Sequence, residues 1–319
     1  MKLLVMVPPH RKAKAHHLEW IKAVSPEVEV VTARSEEEAL LHAGEVEVIF
    51  GNPSQRVVQA APRLRWIQTT SAGVEKVLFP EVVESEIILT NARGLFGIQI
   101  AEHVFAMLLA LTREITKCLE AQREKRWLTR FDLEVFDLYE KRMGILGFGG
   151  IGQEVAKRAV GFGMSVLAVD LVPKEVPPYL TALWPPERLL DMLAQSDVVV
   201  SCIPYTPQTR GMMGAKEFAA MPSTAYFVNI SRGGVVDEAA LINALQRDQI
   251  AGACLDVFVE EPLPPTSPLW NMANVIVTPH MAGESPRLHD ETVRFFCQNL
   301  EAFLAGKPLQ NVVDKARGF

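Results

Sequence analysis

Short apolar runs recur along the chain, separated by polar stretches each long enough for a helix. In the first third they fall at Leu3–Val7, Val28–Val31, Val46–Phe50, Leu64–Thr69 and Ile87–Thr90. Runs this short, apolar throughout rather than alternating, predict strands covered on both faces, as in a parallel sheet whose crossover helices lie on either side. A second series follows at Met143–Leu146, Met164–Val169, Val198–Ile203, Ala225–Ile230, Gly252–Val257 and Val275–Thr278. Helices are predicted from Ile98 to about Lys117 as one long element, from about Ile151 to Gly161, over Glu187–Gln195 and over Glu238–Arg247. The Pro177-Pro178 and Pro185-Pro186 pairs mark a loop. The pattern is that of an α/β protein.

The stretch Lys141–Asp170, KRMGILGFGGIGQEVAKRAVGFGMSVLAVD, is a complete strand, glycine turn, helix, strand unit. Gly147, Gly149 and Gly152 have the spacing G-x-G-x-x-G. Gly147 permits the tight turn, Gly149 lets a pyrophosphate approach the backbone, and Gly152 lets helix and strand pack closely. The phosphates then meet unpaired N–H groups at a positive helix end. Asp170 ends the second strand, 18 residues beyond Gly152, where a carboxylate accepts hydrogen bonds from both adenosine ribose hydroxyls. Strand, helix and acid together favour a dinucleotide over a mere tight turn. Such a fingerprint normally lies near the start of its own fold, yet a full α/β unit precedes it, so residues 1 to about 95 form a separate domain.

Composition narrows the picture. A chain of 319 residues, 49% hydrophobic, can bury two cores. The net charge of −6 is spread without long blocks, which points to neither nucleic acid nor an anionic membrane as partner. Cys118, Cys202, Cys254 and Cys297 lie far apart and read as buried reduced thiols. Leu3–Val7 is too short for the core of a signal peptide, and the apolar helix from Ile98 is interrupted by Glu102 and His103, so a cytoplasmic protein without a membrane span is expected. His10, His16 and His17, with Arg11, Lys12 and Lys14, read as a solvated basic face.

Candidate chemistry collects after the strands. Thr69-Thr70-Ser71-Ala72-Gly73-Val74 is either a carboxylate-holding loop or a plain strand-to-helix turn, and spacing leaves both open. The charged and aromatic segment Glu120–Tyr139, with Arg126-Trp127 at its middle, is either an arm that packs on a partner subunit or a solvated connection. Tyr205-Thr206-Pro207-Gln208-Thr209 is turn chemistry at a strand's carboxyl end. Three neighbouring strands then deliver Ser231-Arg232, Asp256 with Glu261, and His280 to one rim. Each alone has an ordinary structural reading. Together a permanent cation, a carboxylate and an imidazole can hold a 2-keto acid and protonate its carbonyl oxygen.

These stretches, with Ala101-Glu102-His103, GILGFGGIG, Ile203-Pro204 with Thr209, NISRGGVVDEAAL, DVFVEEPLP and TPHMAG, resemble the D-isomer-specific 2-hydroxyacid dehydrogenase family along nearly the whole chain. The resemblance implies a Rossmann dinucleotide-binding domain (98–281, with a dimerisation arm) inserted into a flavodoxin-like substrate domain (1–97 and 282–319), the last helix running from about Ser285 to Leu304. It implies Arg232, Glu261 and His280 as catalytic residues: Arg232 on the substrate carboxylate and carbonyl, His280 as acid/base, Glu261 as its partner. It extends the cofactor contacts to Gly147, Gly149, Gly150, Ile151, Gly152, Asp170, Ile203, Pro204, Thr209, Ile230, Ser231, Arg232, Asp256, His280 and Gly283, with Asp256 on the nicotinamide carboxamide. It places Ala72, Gly73, Arg232 and His280 on the substrate. NAD (NADH) is the expected cofactor rather than NADP, with no metal, a homodimer, and glyoxylate or hydroxypyruvate reduction as the activity.

Glu261, where the formate-oxidising branch has Gln, argues against formate, and the regulatory domain of many phosphoglycerate-oxidising relatives is not expected. Arg93 and Trp127 receive no transferred role. An NAD(H)-sensing corepressor-type protein of the same fold is the alternative. Hydrolases that use the cofactor as an internal redox aid are disfavoured by the Arg, Glu and His set.

Overall fold

A computed structural model describes residues 1–6, 15–171 and 175–318, so His10, Arg11, Lys12, Lys14, Val172 and Pro173 lie outside the described residues. The chain forms two compact units, Met1–Phe96 with Ser285–Phe319, and Gly97–Glu284.

The first unit runs β1 (Lys2–Met6), α1 (Ala15–Val24), β2 (Glu29–Ala33), α2 (Glu36–Ala43), β3 (Val48–Phe50), α3 (Gln55–Gln59), β4 (Trp66–Gln68), α4 (Pro80–Val83) and β5 (Ile88–Thr90). Its parallel sheet has the order β2-β1-β3-β4-β5, the flavodoxin-like arrangement. Because side chains alternate across a strand, one face carries Leu4, Ile49, Ile67 and Leu89 and the other Leu3, Val48, Phe50 and Trp66, each in its own buried cluster. That explains why the runs are apolar throughout.

The last helix, Leu288–Leu304, covers the second face: Phe296 stacks on Phe50 (ring centroids 4.2 Å apart) and on Trp66 (5.3 Å). Asn299 donates to buried Gln68 (3.0 Å), and beyond the helix the Val313 N–H donates to the Leu89 carbonyl (2.8 Å). Lys315 Nζ donates to the carbonyls of Val82, Ser85 and Ile87. His17 departs from expectation: it is only 5% exposed and hydrogen-bonds Asp290 on the last helix (2.8 Å), so it belongs to a helix–helix contact, not to a solvated face.

The second unit runs α5 (Gly97–Thr112), α6 (Ile115–Arg123), β6 (Arg142–Leu146), α7 (Gly150–Gly161), β7 (Ser165–Val169), β8 (Ala182–Trp184), α8 (Leu189–Leu193), β9 (Val198–Ser201), α9 (Ala215–Ala220), β10 (Tyr226–Asn229), α10 (Glu238–Gln246), β11 (Gly252–Leu255) and β12 (Val275–Val277). All pairings in its sheet, β12-β11-β10-β9-β6-β7-β8, are parallel. This is the Rossmann order with one strand added, and its order reverses between β6 and β9, the point at which such sheets bind ligands beyond the carboxyl ends.

Four elements differ from the sequence reading. The single helix expected from Ile98 ends at Thr112, whose carbonyl accepts from the Phe136 N–H (2.8 Å) while its hydroxyl bonds back to the Leu108 carbonyl (2.8 Å). Glu114 then adopts a left-handed conformation (φ 56°) before α6 begins. The edge strand β8 lies between the proline pairs read as a loop, and the short α9 lies where no element was read; β8 has three half-buried residues, too few to show a period. The helix expected over Glu187–Gln195 begins as a 3-10 turn at Pro186–Arg188.

The segment after α6 is exposed: Trp127 is 93% accessible and Phe131 83%, with Val135 and Tyr139 also exposed. Among the described residues no helix is long and apolar enough to cross a membrane.

Candidate active site

β6 ends in the glycine turn, and the backbone explains each glycine. Gly147 has φ +92°, and a Cβ there would lie 2.9 Å from Ile203 Cγ2 and 3.0 Å from the Cys202 carbonyl carbon, so this residue keys the turn against the end of β9. A Cβ on Gly152 would sit 2.2 Å from the Gly147 carbonyl oxygen, so only glycine lets the first turn of α7 rest on the loop. Gly149 is the N-cap of α7, and a Cβ there would meet nothing within 4 Å. The space ahead of that helix end is therefore open, which fits a pyrophosphate on the amides of Gly150, Ile151 and Gly152. Asp170 ends β7 beside the loop, where its Oδ2 accepts from the Phe148 N–H (2.9 Å).

The turn after β9 is held by its own threonines. Thr209 Oγ1 donates to the Pro204 carbonyl (2.7 Å) and accepts from the Thr206 N–H (2.8 Å), so buried Thr209 braces Ile203 and Pro204. Just before them, burial pushes the Cys202 thiol up to about 12 and raises that of Cys254 as well. At pH 8 roughly one Cys202 thiol in ten thousand is then ionised, and the thiolate is the reactive form. Iodoacetamide at that pH is expected to leave Cys202 and Cys254 unmodified in the folded protein, as peptide mass spectrometry would show; rapid labelling of Cys202 would contradict this.

β10 delivers Arg232 through a loop that buried Asn229 organises. Asn229 Oδ1 accepts from the Ser231 N–H (3.2 Å) and hydroxyl (2.9 Å), and its Nδ2 donates to the Arg232 carbonyl (3.2 Å). Ser231 Oγ also lies 3.0 Å from Ser201 Oγ at the end of β9. Ile230 is buried, and Arg232, half-buried, donates from Nη1 to the Ser231 carbonyl (2.7 Å). A Cβ on the next residue, Gly233, would fall 1.9 Å from the Phe258 carbonyl carbon, so the Arg232 loop and the loop after β11 press backbone to backbone.

The loop after β11 supplies Glu261. One of its oxygens, Oε1, accepts from the Phe258 N–H (3.0 Å), while the other lies 2.7 Å from His280 Nδ1. A carboxylate held from behind and facing Nδ1 leaves Nε2 as the ring nitrogen that Glu261 does not contact. Both side chains remain partly exposed, at 46% for His280 and 37% for Glu261. His280 itself adopts φ 52°, a left-handed conformation that costs a non-glycine residue about 1–2 kcal/mol.

Asp256 is held by the protein's own groups. It is 1% exposed, its carbonyl accepts from the His280 N–H (2.8 Å), and its carboxylate accepts from the N–H groups of Met281 and Ala282 (2.9 Å each) and from the Thr278 hydroxyl (2.6 Å). The carboxylate thus organises the backbone around His280. The Gly283 carbonyl accepts from Gln99 on α5 (3.4 Å).

Within the first unit, the Ala72–Gly73 loop has its carbonyls turned inward. That of Ser71 accepts from the Ala92 N–H (3.0 Å), that of Ala72 from Asn91 Nδ2 (2.8 Å) and that of Gly73 from Ser71 Oγ (2.7 Å). In trans peptides the N–H groups of Ala72, Gly73 and Val74 then face away from these partners, as an anion cradle requires.

Sequence reasoning assigned no role to Asn229, Gly233, Thr278 or His103, although all four lie inside its motifs. The available signal was their place one or three residues from Arg232, at the end of β12 or on α5.

Comparison with known proteins agrees with this arrangement. Residues 105–282 match the family model described as D-isomer specific 2-hydroxyacid dehydrogenase, NAD binding domain. The chain is 36% identical over 264 residues to a glyoxylate reductase of Korarchaeum cryptofilum, an alignment covering 81% of this chain and 79% of the relative. It is 32% identical over 319 residues to D-3-phosphoglycerate dehydrogenase of Methanocaldococcus jannaschii, covering 98% of this chain but 59% of that protein's length. Among solved structures, the NADPH-dependent glyoxylate/hydroxypyruvate reductase of Sinorhizobium meliloti, in complex with NADP and sulfate, superposes with a TM-score of 0.84 at 26% identity, covering 100% of both chains. With the glycine turn, the paired Glu261 and His280, and a matched NAD-binding domain in one chain, it belongs to the D-isomer specific 2-hydroxyacid dehydrogenase family of nicotinamide-dependent oxidoreductases.

Proposed function

We propose that this chain reduces a small 2-keto acid to the D-2-hydroxy acid, with glyoxylate and hydroxypyruvate the first candidates. The observation that carries the reading is the Glu261–His280 contact of 2.7 Å on the strand rim that also bears Arg232. Protonated His280 gives the carbonyl oxygen its proton from Nε2, and Glu261 steadies the imidazolium through Nδ1. The Arg232 guanidinium, cationic at any working pH, binds the substrate carboxylate and draws charge onto the carbonyl oxygen. Within the first unit, the amides of Ala72 and Gly73 are proposed as a carboxylate cradle. When bound, the reduced nicotinamide supplies the hydride. The residues proposed to hold that cofactor are the α7 amino end for its phosphates, Asp170 for its ribose, and Ile203, Pro204 and Ser231 along the rim.

A panel of 2-keto acids assayed by cofactor absorbance, run in parallel with NADH and NADPH, tests the reading. Glyoxylate or hydroxypyruvate should give the highest kcat/KM, and NADH should exceed NADPH, because an ionised Asp170 repels a 2′-phosphate. Asp170→Ser with Leu171→Arg should relax that preference. The NADP-bound relative makes this comparison the informative arm, and faster turnover with NADPH would remove Asp170 from the ribose. Tight NADH binding without turnover on any keto acid would favour the sensing alternative.

The exposed aromatics at Trp127 and Phe131 support a homodimer built on the segment after α6, since large apolar side chains gathered on a surface mark an interface. Light scattering at low micromolar concentration should give twice the chain mass. Trp127→Glu with Phe131→Glu should give a monomer, and an active parent monomer would refute the assignment. A cytoplasmic location is proposed on the same family grounds.

A further inference from the structure

His103 lies on α5, a helix that packs against β11 and β12 within the second unit, and its ring faces the end of β12. His103 Nε2 lies 3.0 Å from Thr278 Oγ1, and Thr278 Oγ1 lies 2.6 Å from Asp256 Oδ1. The direction of this chain follows from its donors. A carboxylate can only accept, so the one hydroxyl hydrogen of Thr278 goes to Asp256, and the hydroxyl oxygen presents a lone pair to His103. Nε2 must then carry the hydrogen, which fixes the tautomer of the ring. The separation of 3.6 Å between His103 Nε2 and Asp256 Oδ1 is too long for a direct bond, so Thr278 is the link.

Beyond Asp256 the chain reaches the backbone of the acid/base loop. The Asp256 carboxylate takes the amides of Met281 and Ala282, and its carbonyl takes that of His280. Three successive amides are thus gathered by one residue, on the stretch where His280 holds φ 52°. A left-handed non-glycine residue persists only where its surroundings over-determine it. We infer that His103 and Thr278 are positioning residues for His280: through the oriented chain His103 to Thr278 to Asp256 they hold the His280 loop in the conformation that sets its imidazole against Glu261. The inference rests on the proposed acid/base role of His280 and deepens it.

The test uses the full-length protein with NADH and its best keto acid. Thr278→Val removes the hydroxyl at nearly constant volume, and His103→Ala removes the outer donor. Both are expected to lower kcat on the order of tenfold or more, as small displacements of a reacting group do, with keto-acid KM and NADH Kd nearly unchanged. Thr278→Ser, which keeps the hydroxyl, should restore kcat, and His103→Gln, which keeps an N–H donor, should restore it in part.

A second readout does not depend on activity. Hydrogen exchange at the Met281 and Ala282 amides should accelerate in Thr278→Val and His103→Ala and return to the parent rate in Thr278→Ser. Should Thr278→Val fail to fold, the His103→Ala and His103→Gln pair gives the same reading. Unchanged kcat and unchanged amide exchange in the variants would overturn the inference, as would a loss confined to NADH affinity, which would return Asp256 to the cofactor. His280→Ala run alongside separates the two failures: if it keeps full turnover the acid/base role falls, while amide exchange still decides whether the chain holds the loop.

Discussion

His280→Ala is expected to lower turnover in keto-acid reduction by about 10²- to 10⁴-fold, the usual worth of a positioned general acid. The loss should appear in kcat while NADH Kd stays near the parent value, because the glycine turn and Asp170 are untouched. The same imidazole gives the proton in reduction and takes it in oxidation, so the two directions should have opposite pH dependence: reduction slows as pH rises, and oxidation of the hydroxy acid speeds up. Glu261→Gln should also slow reduction, since it removes the charge that faces Nδ1 at 2.7 Å. Stopped-flow measurement of both directions across pH decides the matter. Near-parent turnover in His280→Ala at neutral pH would require another proton donor and a new reading of the whole rim.

Gly233→Ala is expected to have the largest effect on both stability and activity of any single-methyl change in the second unit. Its Cβ would lie 1.9 Å from the Phe258 carbonyl carbon, 2.0 Å from the oxygen and 2.4 Å from the Val259 nitrogen. All three are backbone atoms, so no side chain can swing aside and one loop must move. Forced overpacking of this kind costs about 1–3 kcal/mol, occasionally more. For a unit of this size that corresponds to a Tm lower by roughly 3–10 °C. Displacement of either loop also parts Arg232 from the segment carrying Glu261, so kcat/KM for the keto acid should fall further than stability alone explains. Gly149→Ala is the contrasting control: with open space around the new methyl, Tm should hold while NADH affinity drops. If Gly233→Ala left both Tm and kcat/KM unchanged, the close approach of the two loops would not exist in solution.

How far the chain could be read from its sequence depended on whether a feature is local. Buried parallel strands announce themselves, because a strand covered on both faces is apolar at every position; all five strands of the first sheet lie on their expected runs. The glycine turn was legible because Gly147, Gly149 and Gly152 stand at one short, recognisable spacing between a strand and a helix. The break after Thr112 was not, because the group that ends α5 is the Phe136 amide, far along the chain. Edge strand β8 was lost between two proline pairs. At the site, the side chains proposed to do chemistry were visible in their motifs, while those that hold them were not: Asn229, Thr278 and His103 look like ordinary polar residues until strands and helices bring them to their partners. Asp256 was visible in its motif, but the amides of Met281 and Ala282 that its carboxylate gathers were not.

The closing segment of the chain has a consequence for the order in which the protein is made. The first unit needs Phe296 on Phe50 and Trp66, Asn299 on Gln68, and Val313 on Leu89, all supplied from beyond Ser285. The second unit, Gly97–Glu284, draws its sheet from one continuous stretch. On the ribosome the chain therefore emerges with its amino-terminal strands first and their covering helix last. The inserted unit can complete its core while the first sheet still lacks its last helix, so that Phe50 and Trp66 have the α1 residues Leu18 and Ile21 in their cluster but not yet the ring of Phe296.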